Sequence, residues 1–268
     1  MDDVPETWHH GLMARWWAEF KEPEAAELAF YRGAIERFGE PALDLACGAG
    51  RLLLPLLEAG LDVDGVDVST DMLLQTRRLA AACGLSPSLT QQAMHELDLP
   101  RHYRTILICD SFGIGGDRRH AVRALDRVLH HLEPGGALVF SHDFPYAQEA
   151  ADWLRWLPGR RDEPEPWPDG GERRITADGD ELELLFRESS FDPLMQRSIL
   201  EVRARRWRDG EMLEQEEHRI VLPEYFAQEI LLMLDTAGFT DVEIQGRYTG
   251  VPATRDDATV VFVARRPA

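Results

Sequence analysis

The stretch ALDLACGAGRLLLPLLEAG, Ala42 to Gly60, constrains the fold more than any other part of the chain: an apolar strand, a glycine-bearing turn and a leucine-rich helix follow one another without a spacer. A strand that passes through Gly48 and Gly50 into a helix leaves backbone N–H groups open to a ligand, because neither glycine interposes a Cβ. The next strand-like run, LDVDGVDV, carries Asp67 near its end, 17 residues beyond Gly50. An acidic side chain there can accept hydrogen bonds from both hydroxyls of a ribose. Together the two features predict a nucleoside-containing cofactor at the carboxyl edge of a parallel sheet.

The alternation continues downstream. TILIC and GALVFS read as strands, while STDMLLQTRRLAAACG and RRHAVRALDRVLHHLEPGG have helical periodicity. Strands alternating with helices predict an α/β fold with helices on both faces of a parallel sheet. Ser69 or Thr70 is expected to cap the second helix, Gly84 to end it, and EPGG, Glu133 to Gly136, to turn the chain into the fifth strand. After Tyr146 comes a connection rich in Pro, Gly and charge, WLPGRRDEPEPWPDGGE, followed by three runs of period two: ELELLFRES, QRSILEVRARRW and EEHRIVL. These predict an antiparallel insertion. The helix PEYFAQEILLMLDTAG and the strands DVEIQGRY and ATVVFVARR close the chain.

The expected architecture is a Rossmann-like, mostly parallel seven-stranded sheet with helices on both faces, plus an antiparallel β insertion after the fifth strand. It is read as one domain: a helical lid over 1–40, a cofactor-binding core over 41–146, a linker and insertion over 147–222, and a last helix with closing strands over 223–268.

A dinucleotide fingerprint requires a further glycine three residues after Gly50, where Leu53 stands, so an NAD-dependent oxidoreductase is the weaker reading. DLACGAGR instead resembles the first motif of the class I S-adenosylmethionine-dependent methyltransferases, acidic-x-G-x-G-x-G, matched at Asp44, Gly48 and Gly50 with Ala46 in place of the first glycine. GVDVSTDML resembles the second motif, TILICDSFG the fourth strand and its edge, and LEPGGALVF the turn into the fifth, so the resemblance runs from about Phe38 to Phe140. It implies S-adenosylmethionine as cofactor. Asp67 would hold the ribose, and Val68 and Met72 would line the adenine. QQAMHELDLP departs from the family pattern, with Ala93 and Met94 where an acidic residue and a small one often stand. The remaining candidate cofactor contacts are Cys47 and Arg51 in the loop, His95, and Asp110 with Ser111 at the sheet edge; Cys47 is read as a space-filler rather than a nucleophile. In similar enzymes amino-terminal helices fold over the cofactor and contribute a tyrosine, for which Tyr31 is the candidate.

The chemistry implied is an in-line displacement at the sulfonium methyl, which needs positioning and exclusion of water more than a potent catalytic group. Where the acceptor must lose a proton, FSHDFPY offers His142 as base, with Asp143 and Tyr146 on the substrate side. Aromatic residues of the first helices, Trp8, Trp16, Trp17 and Phe20, are expected to cover the site, with Trp16 and Trp17 facing substrate. A non-catalytic binder of S-adenosylmethionine or S-adenosylhomocysteine remains the alternative.

Composition narrows the partners. A net charge of −19 argues against a sequence-independent grip on nucleic acid. The basic run RARRWRD, Arg203 to Asp209, reads as a strand whose solvent face meets the acidic EMLEQEE. Cys47, Cys83 and Cys109 lack metal-ligand spacing, so no metal is expected and free thiols in a reducing compartment are. No apolar run reaches membrane-span length. The expectation is thus a cytoplasmic protein, monomer or homodimer, acting on a small-molecule methyl acceptor.

Overall fold

A computed structural model describes residues 7, 9–145, 150–161 and 163–268. In chain order the elements are α1 (Gly11–Phe20), α2 (Ala25–Phe38), β1 (Ala42–Leu45), α3 (Leu53–Glu58), β2 (Val63–Asp67), α4 (Thr70–Ala82), β3 (Leu89–Gln91), β4 (Tyr103–Ile108), α5 (Arg118–His131), β5 (Leu132–Asp143), β6 (Glu172–Ile175), β7 (Glu181–Asp192), β8 (Arg197–Arg208), β9 (Glu211–Pro223), α6 (Ala227–Ala237), β10 (Thr240–Gly246) and β11 (Thr259–Arg265). The main sheet has the order β10-β11-β5-β4-β1-β2-β3. Its first five strands run parallel, and β11 is antiparallel to both β5 and β10.

The strand order reverses between β1 and β4, so crossovers leave on opposite faces and open a crevice beyond the carboxyl ends of those strands. β1 is buried at all four positions, as a central parallel strand covered on both faces must be. Its register aligns Ala42 with Val63 and with Thr105, bringing the ends of β1, β2 and β4 level.

Local chemistry places the helices. The Ser69 side chain caps α4 by accepting from the Met72 N–H, and Asp117 caps α5 by accepting from the N–H groups of Arg119 and His120. Pro55 is tolerated because it falls in the first turn of α3, where N–H groups have no intrahelical partner. Gly238 ends α6 at φ 96°, a left-handed position a side chain would disfavour. The EPGG segment is absorbed into β5, with an irregular register against β4 between Tyr103 and Thr105.

The insertion forms a separate antiparallel sheet of four strands, β6-β7-β8-β9, one more than the sequence pattern predicts. The extra strand, β6, is ERRI, exposed at every position, so it carries no alternation of burial to read. Arg203 pairs with Glu217 and Arg205 donates to Gln215 across β8 and β9, while Val202 and Ala204 face inward, as the RARRWRD pattern implies. The inner face packs on α1, where Leu12, Met13 and Trp16 meet Leu182, Leu184, Val202 and Ala204. Arg15 fastens the same helix through Asp180 at 2.8 Å and Asp178 at 2.6 Å. Among the described residues no helix is long and apolar enough to cross a membrane.

Candidate active site

The loop after β1 is shaped by three left-handed residues: Ala46 (φ 67°), Gly48 (φ 56°) and Gly50 (φ 85°). The glycines do different work. A Cβ on Gly48 would meet nothing within 4 Å, whereas one on Gly50 would stand 2.9 Å from Leu54 and 3.0 Å from Thr76. Gly48 therefore keeps a surface open, and Gly50 lets the loop close onto α3 and α4. Asp67 binds the loop to the second strand, its Oδ2 accepting from the Gly48 N–H and its Oδ1 from the Ser69 N–H, both at 2.8 Å. Thr76 Oγ1 donates to the Gly48 carbonyl at 2.7 Å, a support without a sequence signal.

Over this loop lies a cavity of about 370 Å³, bounded by the ends of β1, β2 and β4. Asp44, Ala46, Cys47, Gly48, Arg51, Asp67, Val68, Met72, Ala93, Met94, His95, Asp110 and Ser111 all line it, so most of the anticipated cofactor contacts share one wall. Gly50 lies behind that wall, for the packing reason just given. Residues the sequence does not single out complete the lining, among them His9, Gln92, Cys109 and His120. Among the described residues lining this cavity, Asp44 Oδ2 and Trp17 Nε1 are buried polar atoms without a protein partner. Burial pushes the Asp44 carboxyl up to about 7, and also raises Asp67 and the Cys47 thiol, so Cys47 is a protonated filler.

Tyr31 requires a correction. It is fully buried and lines neither this cavity nor the neighbouring one, its hydroxyl donating to Ser141 Oγ at 3.1 Å. The α2 residue that approaches the loop is Glu27, one turn earlier. It forms a bidentate pair with Arg51, at 2.9 Å for its Oε1, and receives the Cys109 thiol at 2.8 Å. Glu27, Cys109 and Asp110 bring ligand-type atoms within 4.8 Å of one another, in the manner of a metal cage. The Arg51 guanidinium occupies the position of the cation, 3.0 Å from Cys109 Sγ and 3.9 Å from Asp110. Burial holds the thiol well above its ordinary range, so it is a donor there.

A second, wider cavity of about 740 Å³ opens between the edge of β5 and the insertion. The two cavities share Asp110, Ile114 and Leu222. His142 and Asp143 line the second one. His142 Nε2 lies 3.0 Å from the Tyr225 carbonyl, and burial lowers its pKa, leaving a neutral ring whose proton sits on Nε2 because a carbonyl can only accept. Asp143 accepts from Thr259 Oγ1 at 2.5 Å. The adjacent tryptophans separate: Trp17 lines the first cavity, whereas Trp16, 1% exposed, is core between α1 and the insertion. Assigning both to substrate is thereby corrected: Trp16 is core, and Trp17, about 100° round the same helix, lines the cofactor-type cavity and not the second one. Tyr146 and Trp8 lie outside the described residues.

An open α/β sheet with a glycine loop, an acidic second-strand end and a cavity at the switch point defines a nucleoside-cofactor protein of Rossmann-like class. Residues 42–136 match the family described as a methyltransferase domain, and the class I S-adenosylmethionine-dependent methyltransferase resemblance read from the motifs is met by the fold as well. CalS10, an amino pentose methyltransferase from Micromonospora echinaspora whose fold is similar, was solved with S-adenosylmethionine bound. A putative methyltransferase of Geobacillus sp. is 27% identical over 132 residues, 47% of this chain and 53% of that protein. The chain spans about half the length of the curated relatives it matches. Over nearly the whole chain the fold is that of an S-adenosylmethionine-dependent methyltransferase from Clostridium acetobutylicum, with TM-score 0.71, 18% identity and coverage of 95% of this chain and 98% of the other. The sugar N-methyltransferase KedS8 from Streptoalloteichus sp. superposes with TM-score 0.69 and 22% identity, covering 100% of this chain and 96% of its own.

Proposed function

We propose that the protein transfers the methyl group of S-adenosylmethionine to a small-molecule acceptor. The observation that carries this reading is the common wall of the two cavities: a cofactor-type cavity over the glycine loop meets a larger one through Asp110, Ile114 and Leu222. A protein that only bound the cofactor would have no use for the second space. Relatives support a small acceptor, KedS8 being a sugar N-methyltransferase.

The residues present fit the cofactor. Gly48 leaves room for close approach, Asp67 stands where ribose hydroxyls can be accepted, and Asp44 Oδ2 and Trp17 Nε1 offer one acceptor and one donor that the protein leaves unused. Met72, Ala93 and Met94 provide the apolar surface for the base, with Val68 beside them. When bound, S-adenosylmethionine supplies an electrophilic methyl on a sulfonium. The chain's own contribution is placement, and His142, kept neutral by burial, is one of the groups on the second cavity that can take a proton.

The test is calorimetric titration with S-adenosylhomocysteine together with thermal denaturation. Binding with a rise in Tm is expected, since a ligand selective for the native state stabilises it by mass action. No heat and no thermal shift at millimolar ligand would sink the assignment.

A further inference from the structure

We infer that Asp110 receives the nucleophilic atom of the acceptor, and that this atom is an amine nitrogen; the inference rests on the methyl-transfer reading above. Of the three residues common to both cavities, Asp110 is the only one with a polar side chain. It follows β4 directly, and 48% of its side chain is accessible although its neighbours Ile108 and Cys109 are buried.

Its carboxylate is held in one orientation. Ser141 Oγ donates to Asp110 Oδ1 at 2.5 Å, accepts from the Asp110 N–H at 2.8 Å and accepts from the Tyr31 hydroxyl at 3.1 Å. Ser141 has a single hydroxyl proton, and with two donors already directed at its oxygen that proton can go only to Asp110. The backbone is in the left-handed region, φ 50°, which aspartate tolerates better than most residues. This clamp explains the buried Tyr31: it positions the carboxylate through Ser141 without touching ligand.

Arg51 stands 3.9 Å from Asp110 Oδ2, so the charge of Asp110 is offset only in part. Arg51, the nearest cation, is committed to Glu27 through both terminal nitrogens, and Arg155 in the second cavity is held by Glu188 and Glu224 at 2.5 Å each. A fixed negative charge therefore stands where the transferring methyl must pass. In transfer to an amine, the nitrogen lone pair forms the new N–C bond, the C–S pair stays on sulfur as a neutral thioether, and the positive charge moves to nitrogen. The proton of an incoming ammonium leaves to His142 or to water before attack. A carboxylate beside that path accepts an N–H hydrogen bond from the neutral amine and stabilises the positive charge that develops on nitrogen as the N–C bond forms. A phenolate, thiolate or enolate acceptor would meet the same charge as repulsion, which raises its pKa and lowers its concentration as nucleophile.

The test uses two analogues of S-adenosylhomocysteine in which nitrogen replaces sulfur and carries either a 2-aminoethyl or a 2-hydroxyethyl arm, so that they differ only in the group extended past the methyl position. By calorimetry the native protein should favour the amino arm by about tenfold or more, the order expected of a charged hydrogen bond. Asp110→Asn, which tolerates a left-handed backbone, should bring the ratio close to one; because the ratio is taken within one variant, any change in its affinity for the part the two analogues share cancels. Equal affinity for the two arms in the native protein overturns the inference, as does an amino-arm preference that survives the substitution. Should the variant not fold, the native ratio decides alone. Failure of S-adenosylhomocysteine itself to bind would sink the cofactor reading instead, so the two failures are distinguishable.

Discussion

Replacing Asp44 by asparagine should stabilise the ligand-free protein and at the same time remove its affinity for cofactor. Asp44 lies within β1 at 2% exposure, and its Oδ2 has no partner. Burial raises its carboxyl from the ordinary 3.8 to about 7; the Arg51 charge opposes the rise, and Asp67 and Glu27 add to it. A raised acid pKa means that the folded state keeps a proton which the unfolded state has released. Stability therefore falls as pH rises from 3.8 to about 7, and the cost is absent below that window and complete above it. Three units of difference correspond to about 4 kcal/mol at pH 8. Asparagine removes the charge but leaves a buried amide, which costs about 1–3 kcal/mol where it finds no acceptor. The net gain is then about 1–3 kcal/mol, or about 2–10 °C in Tm for a chain of this size. Thermal denaturation at pH 8 and pH 5 measures it, and the gain should shrink by more than half at the lower pH because most of the charge penalty is gone there. S-adenosylhomocysteine should raise the Tm of the native protein and leave that of Asp44→Asn unchanged. A variant less stable than the native protein at pH 8, or a gain independent of pH, would refute the assignment of Asp44 as a destabilising ligand group.

Asp67→Ala removes both acceptors of the Gly48 and Ser69 N–H groups, so it should weaken S-adenosylhomocysteine binding by about 1.5–3 kcal/mol and loosen the loop as well; an unchanged Kd would take Asp67 out of the site. Trp16→Ala should cost about 3–5 kcal/mol of stability, measured by urea unfolding, because it empties a fully packed position between α1 and the insertion. Trp17→Phe, by contrast, removes an unpartnered N–H and should lower cofactor affinity with little loss of stability; identical behaviour of the two variants would contradict their opposite placement.

What the sequence by itself determined is the part governed by local conformation. Gly48 and Gly50 between an apolar strand and a leucine-rich helix specify a turn whatever surrounds it, and Asp67 follows at the spacing that one βαβ unit imposes. The alternation of strand and helix then settles the parallel core, and a period of two settles most of the insertion. Tertiary structure decided the rest, because it depends on which distant surfaces pack together. Trp16 and Trp17 lie on different faces of one helix, but the pattern does not say which face the insertion covers; Leu182 and Val202 bury Trp16, while Trp17 packs only partly on that cluster and lines the cavity. Tyr31 carries the aromatic signature of a cofactor contact, but α2 lies close enough to β5 to bury it against Ser141. Glu27, Arg51, Cys109 and Asp110 are up to 83 residues apart, and no periodicity links them. Their assembly follows from α2 packing on β4 and β5, which brings Glu27 to Arg51 and Cys109 where desolvation makes a buried charge demand a partner.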